Sequence, residues 1–192
     1  PRGVCLCASA WDPSLVTSFE TCGMEYVELD SSLISKDKNL FLPIVMADRG
    51  KSIKILPVHN DFIPNENEEP SDLLLRIKKA VEKVSKNDTL NPDADRCATV
   101  ILHKHQIEPL LKNKWLEKFL NEIKENYSDS IKLNLPAVSV KNSTAFIQSY
   151  IHAGISADIA KWAKLPFQEC EVKDSSVNIY DFMQTYKRSQ AL

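Results

Sequence analysis

The stretch that most limits what this chain can become is its opening. An apolar run, GVCLCAS (3–9), is followed by WDPSLVTSFETCG (11–23) and then by MEYVELD (24–30). The first and last pieces carry the apolar, β-branched character of strands. The middle piece has helix signals: Asp12 to cap, Pro13 in the first turn where its missing N–H costs nothing, and Gly23 to stop. Leu15, Val16 and Phe19 share one helical face. A strand, a short helix and a strand in this order close right-handed with the two strands parallel.

The remainder continues the alternation. NLFLPIVMADRGKSIKILPVHN (39–60) reads as a hairpin turning at Gly50, with Pro43 and Pro57 sending it to a sheet edge. Residues 61–70 form an acidic, proline-bearing loop. A helix is predicted from Ser71, with Leu74, Ile77, Val81 and Val84 in register. CATVILH (97–103) reads as an interior strand. A second long helix opens at Glu108–Pro109, with Trp115 within it and a stripe of Leu116, Phe119, Leu120, Ile123 and Tyr127. IKLNLPAVSV (131–140) is predicted as a strand. A helical region then runs from Ser143 through Ile147, Ile151, Ile155 and Ile159. A short strand and a terminal helix at 175–192 complete the reading. The expectation is one α/β domain over 1–192, with a mixed, partly parallel sheet flanked by helices.

Composition limits the chemistry. Only four of the 192 residues are glycine, and no glycine-rich phosphate loop or GxSxG turn is present. Nucleotide-loop enzymes, standard dinucleotide enzymes and ordinary α/β-hydrolases are set aside on that ground, and no cofactor is expected. With 24 basic against 26 acidic residues the net charge is −2, which gives no field for a polyanion. No run approaches the roughly 18 apolar residues of a membrane span. Five cysteines, an odd number without a CxxC pair, suit a reducing interior, so an intracellular setting, nuclear or cytoplasmic, is expected. The chain opens on Pro1 without an initiator Met and reads as a piece of a larger protein.

Candidate chemistry gathers where strands end, because ligands of α/β sheets bind outside the carboxyl ends of the strands. Ser9, Trp11 and Asp12 follow the first strand, Asp30, Ser31 and Ser32 the second, and His103 and His105 the fifth. Asp12, Asp30, His103 and His105 together would suit a metal-dependent hydrolase or phosphoesterase. HAGISADIAKWA (152–163) faintly resembles a helix-hairpin-helix turn at Gly154, which keeps nucleic-acid binding as a second alternative. The leading expectation is a non-catalytic protein–protein module, a scaffold for complex assembly whose partner is another protein subunit. Its anchors are the aromatic residues Tyr180, Phe182 and Tyr186 of the terminal helix, with Trp162 and Trp115 behind them.

Overall fold

A computed structural model of the chain describes residues 2–6, 10–34, 40–65 and 67–156. Its opening is the expected unit. Strand β1 (Gly3–Cys5), helix α1 (Leu15–Thr21) and strand β3 (Tyr26–Asp30) form a βαβ turn, with β1 and β3 parallel neighbours. Between β1 and α1 lies the short strand β2 (Ala10–Trp11). Helix α1 stops as predicted: Gly23 takes a φ of +75°, and the Met24 N–H reaches back to the Phe19 carbonyl at 2.9 Å.

The hairpin also forms, from β4 (Ile44–Asp48) and β5 (Lys51–Val58). Arg49 and Gly50 both have positive φ, 49° and 79°, as the tight two-residue hairpin turn requires. Its position differs from expectation. The sheet order among the described residues is β1-β3-β5-β4-β6, with β6 at Ile147–Gln148, so β5 is interior. It pairs in parallel with β3 and antiparallel with β4. The prolines allow this by their placement. Pro43 precedes β4, and Pro57 stands past Ile55, the last β5 residue paired with β4. Neither therefore interrupts the hairpin ladder.

Helix α2 (Pro70–Asn87) opens one residue before its predicted start, with Pro70 in its first turn. Three other segments depart from the reading. Residues 97–103 make a single parallel bridge, Thr99 to Val58, because β5 ends there and offers no further ladder. Their alternation still works: Ala98, Val100 and Leu102 pack inward. The predicted long helix is two helices, α3 (Lys104–Lys112) and α4 (Trp115–Asn126), hinged where Lys114 sits at φ 53°. Pro109 lies inside α3, whose start is fixed earlier by Gln106: its side-chain oxygen accepts the His103 N–H at 2.8 Å.

The third departure begins at Pro136, which starts a helix, α5 (Pro136–Asn142), rather than bending a strand. The stretch beyond Ser143, expected as helical, instead supplies β6 and β7 (Gly154–Ile155). The β-branched Ile147 aligns beside β4 and Ile155 beside β2, so edge pairing overrides the isoleucine spacing. Gly154 is thus a strand residue rather than a helical turn residue, and the rest of the stretch on which nucleic-acid binding depended, 157–163, lies outside the described residues. The predicted terminal strand and helix lie outside the described residues.

Two apolar clusters hold these elements. The first joins the sheet to α1 through Trp11, Val16, Val27, Leu29, Ile44, Met46 and Ile55. The second gathers Phe41, Phe62, Leu73, Leu110 and Trp115, with Ile77, Val81 and Val84 of α2 and Leu116 and Phe119 of α4 against it. No described helix is long and apolar enough to cross a membrane. The mixed α/β architecture with a partly parallel sheet is therefore as the alternation predicted.

The hairpin turn provides a test. Gly50→Ala forces an L side chain into left-handed backbone at a cost of about 1 kcal/mol. Urea unfolding is expected to show a lower midpoint with an unchanged slope.

Candidate functional site

The parallel strands β1, β3 and β5 present their carboxyl ends along one edge, and the Thr99 bridge continues that edge beyond β5. At the centre stands Asp30, the last residue of β3, directly opposite Val58 in register and only 7% exposed. Both its carboxylate oxygens are engaged. Oδ1 accepts the Ser32 N–H and Oδ2 accepts the Asn60 side-chain amide, each at 2.8 Å. The first bond caps the 3-10 turn Ser31–Leu33. The second spans the 30 residues between the ends of β3 and β5. A burial penalty that a lone carboxylate would suffer is offset by these two charge-assisted bonds.

Beside Asn60, His59 is buried in a cluster of three rings, its centroid 4.7 Å from that of Phe41 and 5.6 Å from that of Phe62, which are themselves 6.1 Å apart. Its Nδ1 accepts the Thr99 N–H at 3.3 Å, which puts the ring proton of the neutral form on Nε2. That Nε2 has no hydrogen-bond partner among the described residues. Burial holds the pKa of His59 below the ordinary histidine value, offset in part by the backbone at Thr99 and Leu40 and by the Asp61 charge. The turn Asn60–Phe62 that follows is fastened to α2 by Arg76. Its guanidinium donates to both carboxylate oxygens of Glu68 and to the Asp61 carbonyl, and lies 5.8 Å from the Phe62 ring centre. Part of the acidic loop is thus spent on internal contacts.

The other candidates are more dispersed. Asp12 is exposed, and its Oδ1 accepts both the backbone N–H and the hydroxyl of Ser14 at the entrance to α1. Those bonds hold its pKa below the usual carboxylate value. His103 and His105 are both exposed at the start of α3, stacked at 5.9 Å between ring centres. Among the described residues no three His, Cys, Asp or Glu side chains come together to hold a metal ion. Asp12, Asp30, His103 and His105 therefore do not form the expected ion site. Trp115, expected as a binding anchor, is instead buried in the second cluster, stacked on Phe119 and donating its indole N–H to the Glu68 carbonyl at 2.5 Å. Ser9, Trp162, Tyr180, Phe182 and Tyr186 lie outside the described residues. Asn60 and His59 were missed in the sequence. Their one signal was position, two residues at the end of an apolar run, and the hairpin reading hid that this run was an interior parallel strand.

The fold is an α/β arrangement with counterparts among solved structures. No family model matches the chain. The chain is 24% identical over 199 residues to Alpha-amylase 1 of Dictyoglomus thermophilum, with 97% of this chain aligned to 28% of that protein. The structure is similar to that of 4-alpha-glucanotransferase from Thermococcus litoralis, at a TM-score of 0.53 and 22% identity over 80% of this chain and 24% of that one. It is also similar to a GH57-type branching enzyme from Pyrococcus horikoshii, at a TM-score of 0.52 and 12% identity, covering 81% of this chain and 40% of that one. The chain thus spans between about a quarter and two fifths of the length of these proteins. These likenesses overturn the expectation of a non-catalytic module for protein binding, scaffolding and complex assembly. The scarcity of glycine, on which that expectation leaned, speaks against phosphate-wrapping loops and not against sugar chemistry, which needs none.

Two outcomes are expected from this geometry. Asp30→Ala leaves the Ser32 N–H and the Asn60 amide without their acceptor and should cost about 2–3 kcal/mol of unfolding free energy, measured by urea titration. For His59 the folded pKa is depressed below 6.5, so the unfolded chain binds the proton first on acidification. Stability is therefore complete above about 6.5 and falls below it, by at most about 1.4 kcal/mol per pH unit, until the folded value is passed. The urea midpoint of the wild type should drop from about pH 7 to about pH 5 by more than that of His59→Phe, which lacks the titrating ring.

Proposed function

We propose that this chain is part of an α-glucan-processing enzyme of the glycosidase type, with its ligand at the carboxyl edge of β1, β3 and β5. The observation that carries the reading is the extent of the alignment with the amylase: 97% of this chain. The α/β fold shared with a glucanotransferase and a branching enzyme supports it. The edge itself suits a sugar. It offers an exposed amide at Asn60, hydroxyls at Ser31 and Ser32, and an exposed carboxylate at Asp61. Glycosidic bond cleavage or transfer uses a pair of carboxyl groups flanking the bond. Asp12, whose Oδ1 accepts two hydrogen bonds from Ser14 that lower its pKa, is not suited to proton donation. Asp30, with both oxygens committed, is suited to positioning.

The test uses the full-length protein with maltoheptaose and amylose, following both affinity by calorimetry and product formation by chromatography of the oligosaccharides. Binding with formation of shorter or longer glucans is the expected result. Binding without product would overturn the catalytic half of the reading, and failure to bind either glucan would overturn all of it.

A further inference from the structure

The Asp30–Asn60 pair bears on which group reads the ligand. Asp30 is buried and accepts hydrogen bonds only, so the Asn60 side chain must turn its NH2 toward Oδ2, as the 2.8 Å contact shows. The reverse orientation would set the amide oxygen against a carboxylate. Asn60 itself is exposed and lies just past β5, at the edge where ligands of parallel sheets bind. Its amide therefore has a fixed orientation, with one N–H spent on Asp30 and, among the described residues, the second N–H and the carbonyl oxygen left over. A neighbouring donor and acceptor on one rigid plane match two adjacent hydroxyls, one accepting and one donating. The ring of a glucose unit carries such adjacent hydroxyls. The amide is uncharged and backed by a carboxylate, and the neighbouring Asp61 is also acidic, so the spot favours a neutral hydroxylic ligand over an anion.

The geometry points to Asn60 as a specificity-determining residue that binds adjacent hydroxyls of a glucan unit, with Asp30 as the positioning residue that sets its amide. This inference rests on the α-glucan reading above. The orientation is set before the ligand arrives, so little freedom is lost at this residue on binding. The cost of freezing a free surface amide is thereby avoided.

The experiment compares the full-length wild type with Asn60→Ala and Asn60→Gln. Affinity for maltoheptaose is read by calorimetry, and KM and kcat are read where turnover is present. Losing two hydrogen bonds to a neutral ligand should weaken affinity about tenfold in Asn60→Ala and raise KM with little change in kcat. Asn60→Gln keeps the amide but moves it by one methylene. It cannot hold Asp30 and the ligand in the same places, so a loss of about the same size is expected. Thermal melting of each variant accompanies the binding data; Asn60 is exposed, so the folded state is expected to survive both changes. If the wild type binds maltoheptaose and both folded variants bind it equally well, Asn60 is not the reading group and the inference fails while the glucan assignment stands. If the wild type itself does not bind, the glucan assignment fails and takes this inference with it.

Discussion

The structure depends on β5 being held by unlike neighbours. On one side it pairs in parallel with β3, and on the other antiparallel with β4 through a two-residue turn. Ile53, Ile55, Leu56 and Val58 are all buried as a result. The hairpin fixes the register of β5 locally, and the parallel pairing then sets where β3 and β5 end relative to one another. That register places Asp30 opposite Val58, and so within reach of Asn60. A slip of one residue would reverse every buried side chain of β5 and separate the carboxylate from the amide. The polar edge is thus a consequence of packing several residues away.

The same strand end joins the two apolar clusters. His59, just past β5, packs against Phe41 and Phe62, both of the second cluster, while Ile55 of β5 belongs to the first. The site is backed on one side by the sheet core and on the other by the helices α2, α3 and α4. Arg76 completes this support from α2, reaching the turn at Asp61 and the side chain of Glu68. An edge built on strand ends and backed by two packed layers is more rigid than one carried on a free loop.

Local signals in the sequence were legible where they were complete within a few residues. Asp12, Pro13 and Gly23 marked α1, Gly50 marked the hairpin turn, and Leu74, Ile77, Val81 and Val84 marked α2. The errors came where a distant partner decides the outcome. Residues 97–103 have strand character, but β5 ends at Val58 and leaves them one bridge. Ile147 and Ile155 have helical spacing, but edges of β4 and β2 were available to them. Pro136 was compatible with a bent strand or a first helical turn, and only the tertiary context chose. The site shows the same division. Asp30 was visible as a strand-end carboxylate, whereas Asn60 became meaningful only once β3 and β5 were known to be neighbours. Function was illegible for a different reason: absent phosphate loops exclude one kind of chemistry and say nothing of chemistry that never uses them.

The indole of Trp11 has a consequence for the making of the molecule. It donates to the carbonyl of Ile151, and the strand that contains it pairs with Gly154–Ile155, so the start of the described chain is closed by its far end. The two partners are 140 residues apart. At ordinary rates of synthesis a ribosome takes roughly ten seconds or more to cover such a distance. Throughout that interval the nascent βαβ unit stands with one flank open, and Trp11 waits as an uncovered apolar ring. The early folding unit of this chain is therefore completed only by residues made late in synthesis.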